Sequence, residues 1–210
     1  MIVFAMRLYV VRHAESENNA AGLNHSWSNP WLSPTWKMQA AQLAIAMFSK
    51  QIEIIFSSPA KRAADTTKQI TRNNEYIRVV KDWRIKERGT GEIPRPRGTT
   101  HTLSESIQKQ LKVELWQKVE WRIQEFLEEL LENYGHYNRV CIVTHGGICA
   151  QLAALLEGKS VKTIDTEIAA RQKGNHRFMN ASITEYDITH KNWEIKDVER
   201  IRINDIQHMK

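Results

Sequence analysis

The feature that most constrains this chain is a regular alternation of short apolar runs with helical patterns. Strand-like runs stand at Arg7 to Val11, Ile52 to Ser57, Ile77 to Lys81 and Arg139 to Thr144, with two more at Ser182 to Asp187 and Trp193 to Ile201. Between them, apolar residues recur at helical spacing over Ser33 to Ser49, Pro59 to Arg72, Ser104 to Tyr134 and Ile148 to Glu157. Parallel strands need a crossover between them, usually a helix, so this order predicts a mostly parallel sheet. The expected fold is an α/β three-layer sandwich with helices on both faces. The stretch Ile188 to Asn192 is too short for a crossover, which predicts an antiparallel edge near the C-terminus.

Helix ends carry their own signals. Ser58-Pro59 and Ser33-Pro34 each read as an N-cap followed by proline at the first helical position. Ile123, Phe126, Leu127, Leu130, Leu131 and Tyr134 form one core-facing stripe, with Glu125, Glu128, Glu129 and Glu132 opposite it in water and Gly135 ending the helix. A length of 210 residues suits one domain with a single core, residues 1–210, in which Met1 to Ala5 is an alternative start or a short extension.

Composition removes several classes. With 41% hydrophobic and 26% charged residues the chain is globular rather than disordered. No apolar run approaches a membrane span, and the N-terminus lacks the pattern of a cleaved signal. Two cysteines, Cys141 and Cys149, are too few for a disulfide framework, and the cytoplasm is the expected compartment. The net charge of +6 is compatible with nucleic acid, an anionic membrane surface or small anionic substrates. Its lysines and arginines are interspersed with acids along the helices, so charge alone selects no partner. No helix-turn-helix, RNA-recognition or zinc-finger pattern is present, so nucleic acid is not expected as a partner, nor is a membrane. Oligomeric state is not legible.

In an open α/β sheet, ligands bind beyond the carboxyl ends of the strands. The loops that follow Val11, Ser57 and Thr144 hold Arg12-His13, Arg62 and His145-Gly146-Gly147. Two histidines and two arginines are thus brought to one rim. A phosphoryl group carries about two negative charges near neutral pH and calls for fixed cations and donors. Arginine binds its oxygens in pairs and stays charged. Histidine attacks phosphorus only as neutral imidazole, a form that neighbouring positive charge favours. Gly146 and Gly147 open a helix whose first N–H groups can face an anion. A carboxylic acid would protonate the leaving oxygen.

These residues fall in blocks. VRHAESENN, at Val11 to Asn19, resembles the R-H-G-E-[ST]-x-x-N signature of the histidine phosphatase superfamily, also called phosphoglycerate mutase-like. SSPAKRAADT at Ser57 to Thr66, VTHGGICAQL at Val143 to Leu152, LSPTWKMQAAQLA at Leu32 to Ala44 and NAS at Asn180 to Ser182 are similar to further blocks of that family, in family order. The resemblance covers Leu8 to about Asp187 and implies a metal-independent enzyme that needs no cofactor. It implies that His13 takes the phosphoryl group as a covalent phosphohistidine, that Arg12, Arg62 and His145 grip its oxygens with help from Gly146, and that Asn19 lies at the pocket rim.

Ala14 replaces the usual glycine, and Trp36 stands where the helix-leading block usually has one. DWRIKERGTGE at Asp82 to Glu92 resembles a mutase-type W-R-x-x-E-R-x-x-G block, which makes Glu87 the candidate proton donor, with Glu92 and Glu105 as fallbacks. Arg88 to Tyr134 reads mostly as one helix after a short loop. That leaves little room for a large cap and favours a phosphatase acting on a small anionic phosphate ester. The block around Glu87 keeps a cofactor-dependent phosphoglycerate mutase as the alternative, and a phosphate-recognising module without turnover is a third reading.

Other features have two readings each. Cys141, His145 and Cys149 are spaced by four, as in some zinc sites, yet the Gly-Gly turn breaks any common face, and buried structural thiols fit better. Trp27, Trp31 and Trp36 either anchor a long loop or form a wall selecting the leaving group. Arg95 and Arg97 are either extra anion contacts or surface arginines.

Overall fold

A computed structural model of the chain describes residues 3–24, 33–91, 95–96, 104–171 and 178–209. Its centre is a six-stranded sheet. Strands β1 (Phe4–Arg12), β3 (Ile54–Ser57), β4 (Arg78–Lys81), β6 (Arg139–Thr144), β7 (Ile183–Lys191) and β8 (Glu194–Asp205) lie in the order β4-β3-β6-β1-β7-β8. The first four strands in that order are mutually parallel, and β7 and β8 add antiparallel pairs at one side. The expected architecture is therefore present.

Period-two alternation divides the sheet between two layers. Leu8 and Val10 of β1, Ile54 and Phe56 of β3, and Val140 and Ile142 of β6 face one cluster. There they meet helices α5 (Trp116–Tyr134), α6 (Gly146–Glu157) and α7 (Val161–Arg171). Tyr9, Val11, Ile55, Cys141 and Val143 face the other cluster, under α2 (Trp36–Phe48) and α3 (Lys61–Thr71). Each fully buried Leu, Ile or Phe contributes roughly 1.5–3 kcal/mol relative to exposure. Cys141 and Cys149 are thus separated onto opposite sides of the sheet. The predicted stripe of α5 is buried from Ile123 to Leu131, Tyr134 packs at its end, and the glutamates opposite are exposed.

Several boundaries differ from the sequence reading. β1 begins at Phe4, whose strand partner is His190. The stretch from Ser104 to Tyr134 is two helices, not one: α4 (Glu105–Gln110) ends at Leu111, and Lys112 takes a left-handed conformation (φ 53°) before α5 starts. Ser58 and Ser33 are not N-caps. Those positions fall to Ala60 and Thr35: Ser58 Oγ accepts from Ala60 N at 3.3 Å and also meets His145, and the Ser33 hydroxyl donates to Glu15, while each helix starts two residues later. The β7–β8 connection shrinks to Asn192-Trp193, both with positive φ (50° and 64°), as in the tight hairpin turn that matches strand twist. Elements not anticipated include the single turn α1 (Glu17–Ala20), helix α7, and a two-stranded ribbon of β2 (Leu23–Asn24) with β5 (Arg95–Pro96). α7 buries only Ile164 and Ile168, too sparse a stripe to read from sequence.

Candidate active site

Parallel register brings the ends of three strands level. Arg12 of β1 lies opposite Thr144 of β6, and Ser57 of β3 opposite Val143. His13, Ser58 and His145 follow directly, so the sheet itself delivers them to one rim. The His13 backbone is held on both sides: its N–H donates to the Thr144 carbonyl at 2.8 Å, and its carbonyl accepts from Ala181 N (3.2 Å) and Asn180 Nδ2 (3.1 Å).

The imidazole of His13 is almost fully buried, and both ring nitrogens are engaged. Nδ1 lies 2.6 Å from the Ala14 carbonyl oxygen. A carbonyl only accepts, so Nδ1 carries the proton. Nε2 then accepts from Arg62 Nε at 3.2 Å, with its lone pair directed at the pocket's cationic side. The replacement of glycine by Ala14 leaves this intact: Ala14 is buried, and its N–H donates to Thr66 Oγ1 at 3.0 Å. The Thr66 hydroxyl donates in turn to the Arg62 carbonyl at 2.7 Å, tying the nucleophile loop to α3.

Arg62 sits in the first turn of α3 with 1% exposure. Desolvation lowers its pKa to about 10, and the nearby Glu87 opposes that shift, so the guanidinium stays charged at neutral pH. Arg12 donates to the Phe178 carbonyl and lies over Gly146, where a Cβ would come 3.4 Å from Arg12 Nε. The His145 ring stands edge-on to that of His13, centroids 5.0 Å apart, with its Nε2 2.8 Å from Ser58 Oγ.

Glu87 reaches the same pocket. It follows a short 3-10 helix, Trp83–Ile85, capped by Asp82, whose carboxylate also holds Arg84. The Glu87 carboxylate accepts from Arg88 N (2.9 Å) and from Gly147 N (3.3 Å). Of its fallbacks, Glu105 is exposed on α4, paired with Lys109 at 3.3 Å, and Glu92 lies outside the described residues. Asn19 closes a capping box with Ser16 and accepts from Asn180 Nδ2 at 3.1 Å, so one amide links the rim to the His13 carbonyl. The structure therefore gathers Arg12, His13, Asn19, Arg62, Glu87, His145 and Gly146 around one space. No group of three or more His, Cys, Asp or Glu side chains among the described residues is arranged to hold a metal ion.

Sequence reasoning gave no part in the site to Ser58, Thr66, Asn180 or Trp116, although three of them lie inside the quoted blocks. Block matching locates such residues; only geometry shows that they orient others. At the start of α2, Glu15 accepts from Ser33 and Thr35, and its N–H donates to Gln39, so this turn is held by side chains despite Trp36, which is half-buried. Trp27, Trp31 and Arg97 lie outside the described residues, and Arg95 pairs through its backbone with Asn24.

Comparison with known proteins bears on the family and the fold. The family described as "Histidine phosphatase superfamily (branch 1)" matches residues 8–200. A Hydrogenobacter thermophilus protein named "Putative phosphoserine phosphatase 2" is 30% identical over 85% of this chain and 88% of its own length. A 2,3-bisphosphoglycerate-dependent phosphoglycerate mutase of Lachnoclostridium phytofermentans is 33% identical, over 42% of this chain and 37% of its own. The solved structure of Bacillus stearothermophilus YhfR superposes with a TM-score of 0.76 at 17% identity, covering 98% of this chain and all of the other. The chain belongs to the histidine phosphatase superfamily, branch 1, and is a phosphatase of that type.

Proposed function

We propose that this chain is a metal-independent phosphomonoesterase for small anionic phosphate esters, working through a phosphohistidine on His13. The observation that carries this reading is the bonding of one ring: the Ala14 carbonyl holds the proton on Nδ1, and Arg62 faces the lone pair on Nε2. In the first step Nε2 attacks phosphorus, the bond to the ester oxygen breaks, and Glu87 gives that oxygen its proton. In the second, water attacks phosphorus, the P–N bond breaks, and the Glu87 carboxylate takes the water's proton, restoring neutral His13. Arg12, Arg62 and His145 balance the charge on the phosphoryl oxygens, with the Gly146 end of α6 beside them and Asn19 at the rim.

Hydrolysis is favoured over mutase activity by the span of the likenesses. The relative named as a phosphoserine phosphatase aligns over 85% of the chain, whereas the mutase aligns over 42%. Phosphoserine and other phosphomonoesters with a second acidic group are the first substrates to assay. We further propose a reducing, cytoplasmic setting, supported by the two free, buried cysteines.

The test is hydrolysis of p-nitrophenyl phosphate from pH 5 to 8 in excess EDTA, with His13→Ala alongside. Activity that survives EDTA and disappears in the variant is expected. Activity lost to EDTA, or kept by His13→Ala, overturns the proposal. Transfer between 3-phosphoglycerate and its bisphosphate, without net hydrolysis, would favour the mutase.

A further inference from the structure

The segment that opens α5 is fastened to the segment carrying Glu87. Glu114 N donates to the Gly89 carbonyl at 2.8 Å, and Gly89 N donates to Glu114 Oε2 at 2.9 Å. Arg88 Nε donates to the Glu114 carbonyl at 2.7 Å, and its Nη2 to Gln108 Oε1 at 2.8 Å. Glu114 is itself anchored by buried Arg122 at 2.9 Å. Two residues on, Trp116 carries the Arg88 guanidinium over its ring, 4.6 Å from the centroid. The far benzo edge of that ring and the Glu87 carboxylate converge on Gly147. A Cβ there would meet Glu87 Oε1 at 2.7 Å and Trp116 Cη2 at 3.1 Å.

We propose that Trp116 is a positioning residue for the proton donor: with Arg88 stacked on it, its benzo edge walls the space beside Gly147 and confines the Glu87 carboxylate to one orientation. This rests on Glu87 being the donor. The carboxylate accepts a backbone N–H from its neighbour and a longer one from Gly147. A ring packed beside the same glycine restricts the rotamers open to that side chain. The fastened 114–116 segment fixes the backbone of the donor loop and supplies that packing at once. Trp116 touches no reacting atom in this scheme; it acts through Glu87.

Leaving-group dependence separates this role from a structural one. A poorly aimed donor slows esters whose alkoxide must be protonated, and spares p-nitrophenyl phosphate, whose leaving group departs without a proton. The measurement is kcat/KM, which reports the first phosphoryl transfer, for glycerol phosphate and p-nitrophenyl phosphate on wild type, Trp116→Phe, Trp116→Leu and Glu87→Gln. Trp116→Phe keeps an aromatic ring and withdraws the benzo edge. It is expected to lose about tenfold on glycerol phosphate and under about threefold on p-nitrophenyl phosphate, with Trp116→Leu losing more in the same selective sense. Equal losses on both substrates, or none, overturn the positioning role. If Glu87→Gln is selective and Trp116→Phe is not, only the positioning role falls. If Glu87→Gln is itself unselective, the donor assignment falls and the positioning role with it. If Trp116→Leu does not fold, as judged by circular dichroism, Trp116→Phe decides alone.

Discussion

Gly147 and Glu87 share a space that holds one of them only because the other has no side chain. A Cβ on Gly147 would stand 2.7 Å from Glu87 Oε1, inside the approach that Cβ atoms normally make, while the Gly147 N–H donates to the other carboxylate oxygen at 3.3 Å. Gly147→Ala must therefore displace the carboxylate. Overpacking of this kind costs about 1–3 kcal/mol where nothing can move, and less here because the carboxylate is the end of a side chain. We expect a folded protein that has lost most of the contribution of a general acid, roughly 10²-fold or more on alkyl phosphates. Steady-state kinetics on glycerol phosphate, with a thermal melt, checks this; wild-type rates would contradict it.

Arg62 is held at a cost to the fold. Burial lowers its pKa from the ordinary guanidinium range to about 10. The folded chain therefore binds this proton less tightly than the unfolded one. The cost is fully present below pH 10 and is relieved as pH rises through the folded value. Removing this charge removes its desolvation penalty, the larger effect here, and forfeits only the smaller attraction of Glu87. Arg62→Met should keep or raise Tm at pH 7 while lowering kcat/KM by about 10²–10³-fold, the range for removing one transition-state donor. Inorganic phosphate should also bind wild type less tightly above pH 10, as the cation is lost. Differential scanning fluorimetry and calorimetry of phosphate binding test both halves.

Cys141 and Cys149 lie on opposite sides of the sheet, and burial pushes both thiols far above their ordinary value. A thiol reacts as its thiolate. Native protein should therefore ignore a colorimetric disulfide reagent at pH 8 and keep full activity under alkylating agent. Both thiols should titrate at once in denaturant. Rapid reaction of either in the native state would refute this.

Trp193 adopts φ 64° in the two-residue turn between β7 and β8. Left-handed backbone is unfavourable for a bulky residue and free for glycine. Trp193→Gly creates an Asn-Gly turn, the preferred sequence for this geometry. It should stabilise the protein by about 1 kcal/mol, visible as a Tm rise of roughly 2–4 °C for a chain of this size. A fall in Tm would show that Trp193 packing outweighs the relief of strain.

The rim was the most legible part of the molecule. Strand order put Arg12, His13, Arg62 and His145 at one edge because parallel strands end together, and the family blocks agreed with that placement. Secondary structure was legible where buried positions recur densely, as in β6, whose predicted bounds match the structure, and on the Ile123 to Leu131 stripe of α5. It was not legible where a long-range contact decides. The break before α5 arises from Lys112 and from the pairing of Glu114 with Gly89, twenty-five positions away. Ser58 and Ser33 have the local form of caps, and Ser58 Oγ does accept from Ala60 N, but the helices start two residues later and the hydroxyls also serve His145 and Glu15. Sequence placed Glu87 within a block, but its environment is made by Gly147 and Trp116, on two other elements.

The central claim is that His13 becomes phosphorylated through Nε2. Its most direct test is to mix the protein with a fast substrate, quench in alkali within milliseconds to seconds, and locate any covalent phosphoryl group by peptide mass spectrometry. The account predicts an acid-labile, base-stable phosphoryl group on His13, absent from His13→Ala and accumulating in Glu87→Gln, where its hydrolysis is slowed. Turnover with no phosphoenzyme at any quench time, or a phosphoryl group on another residue, would contradict it.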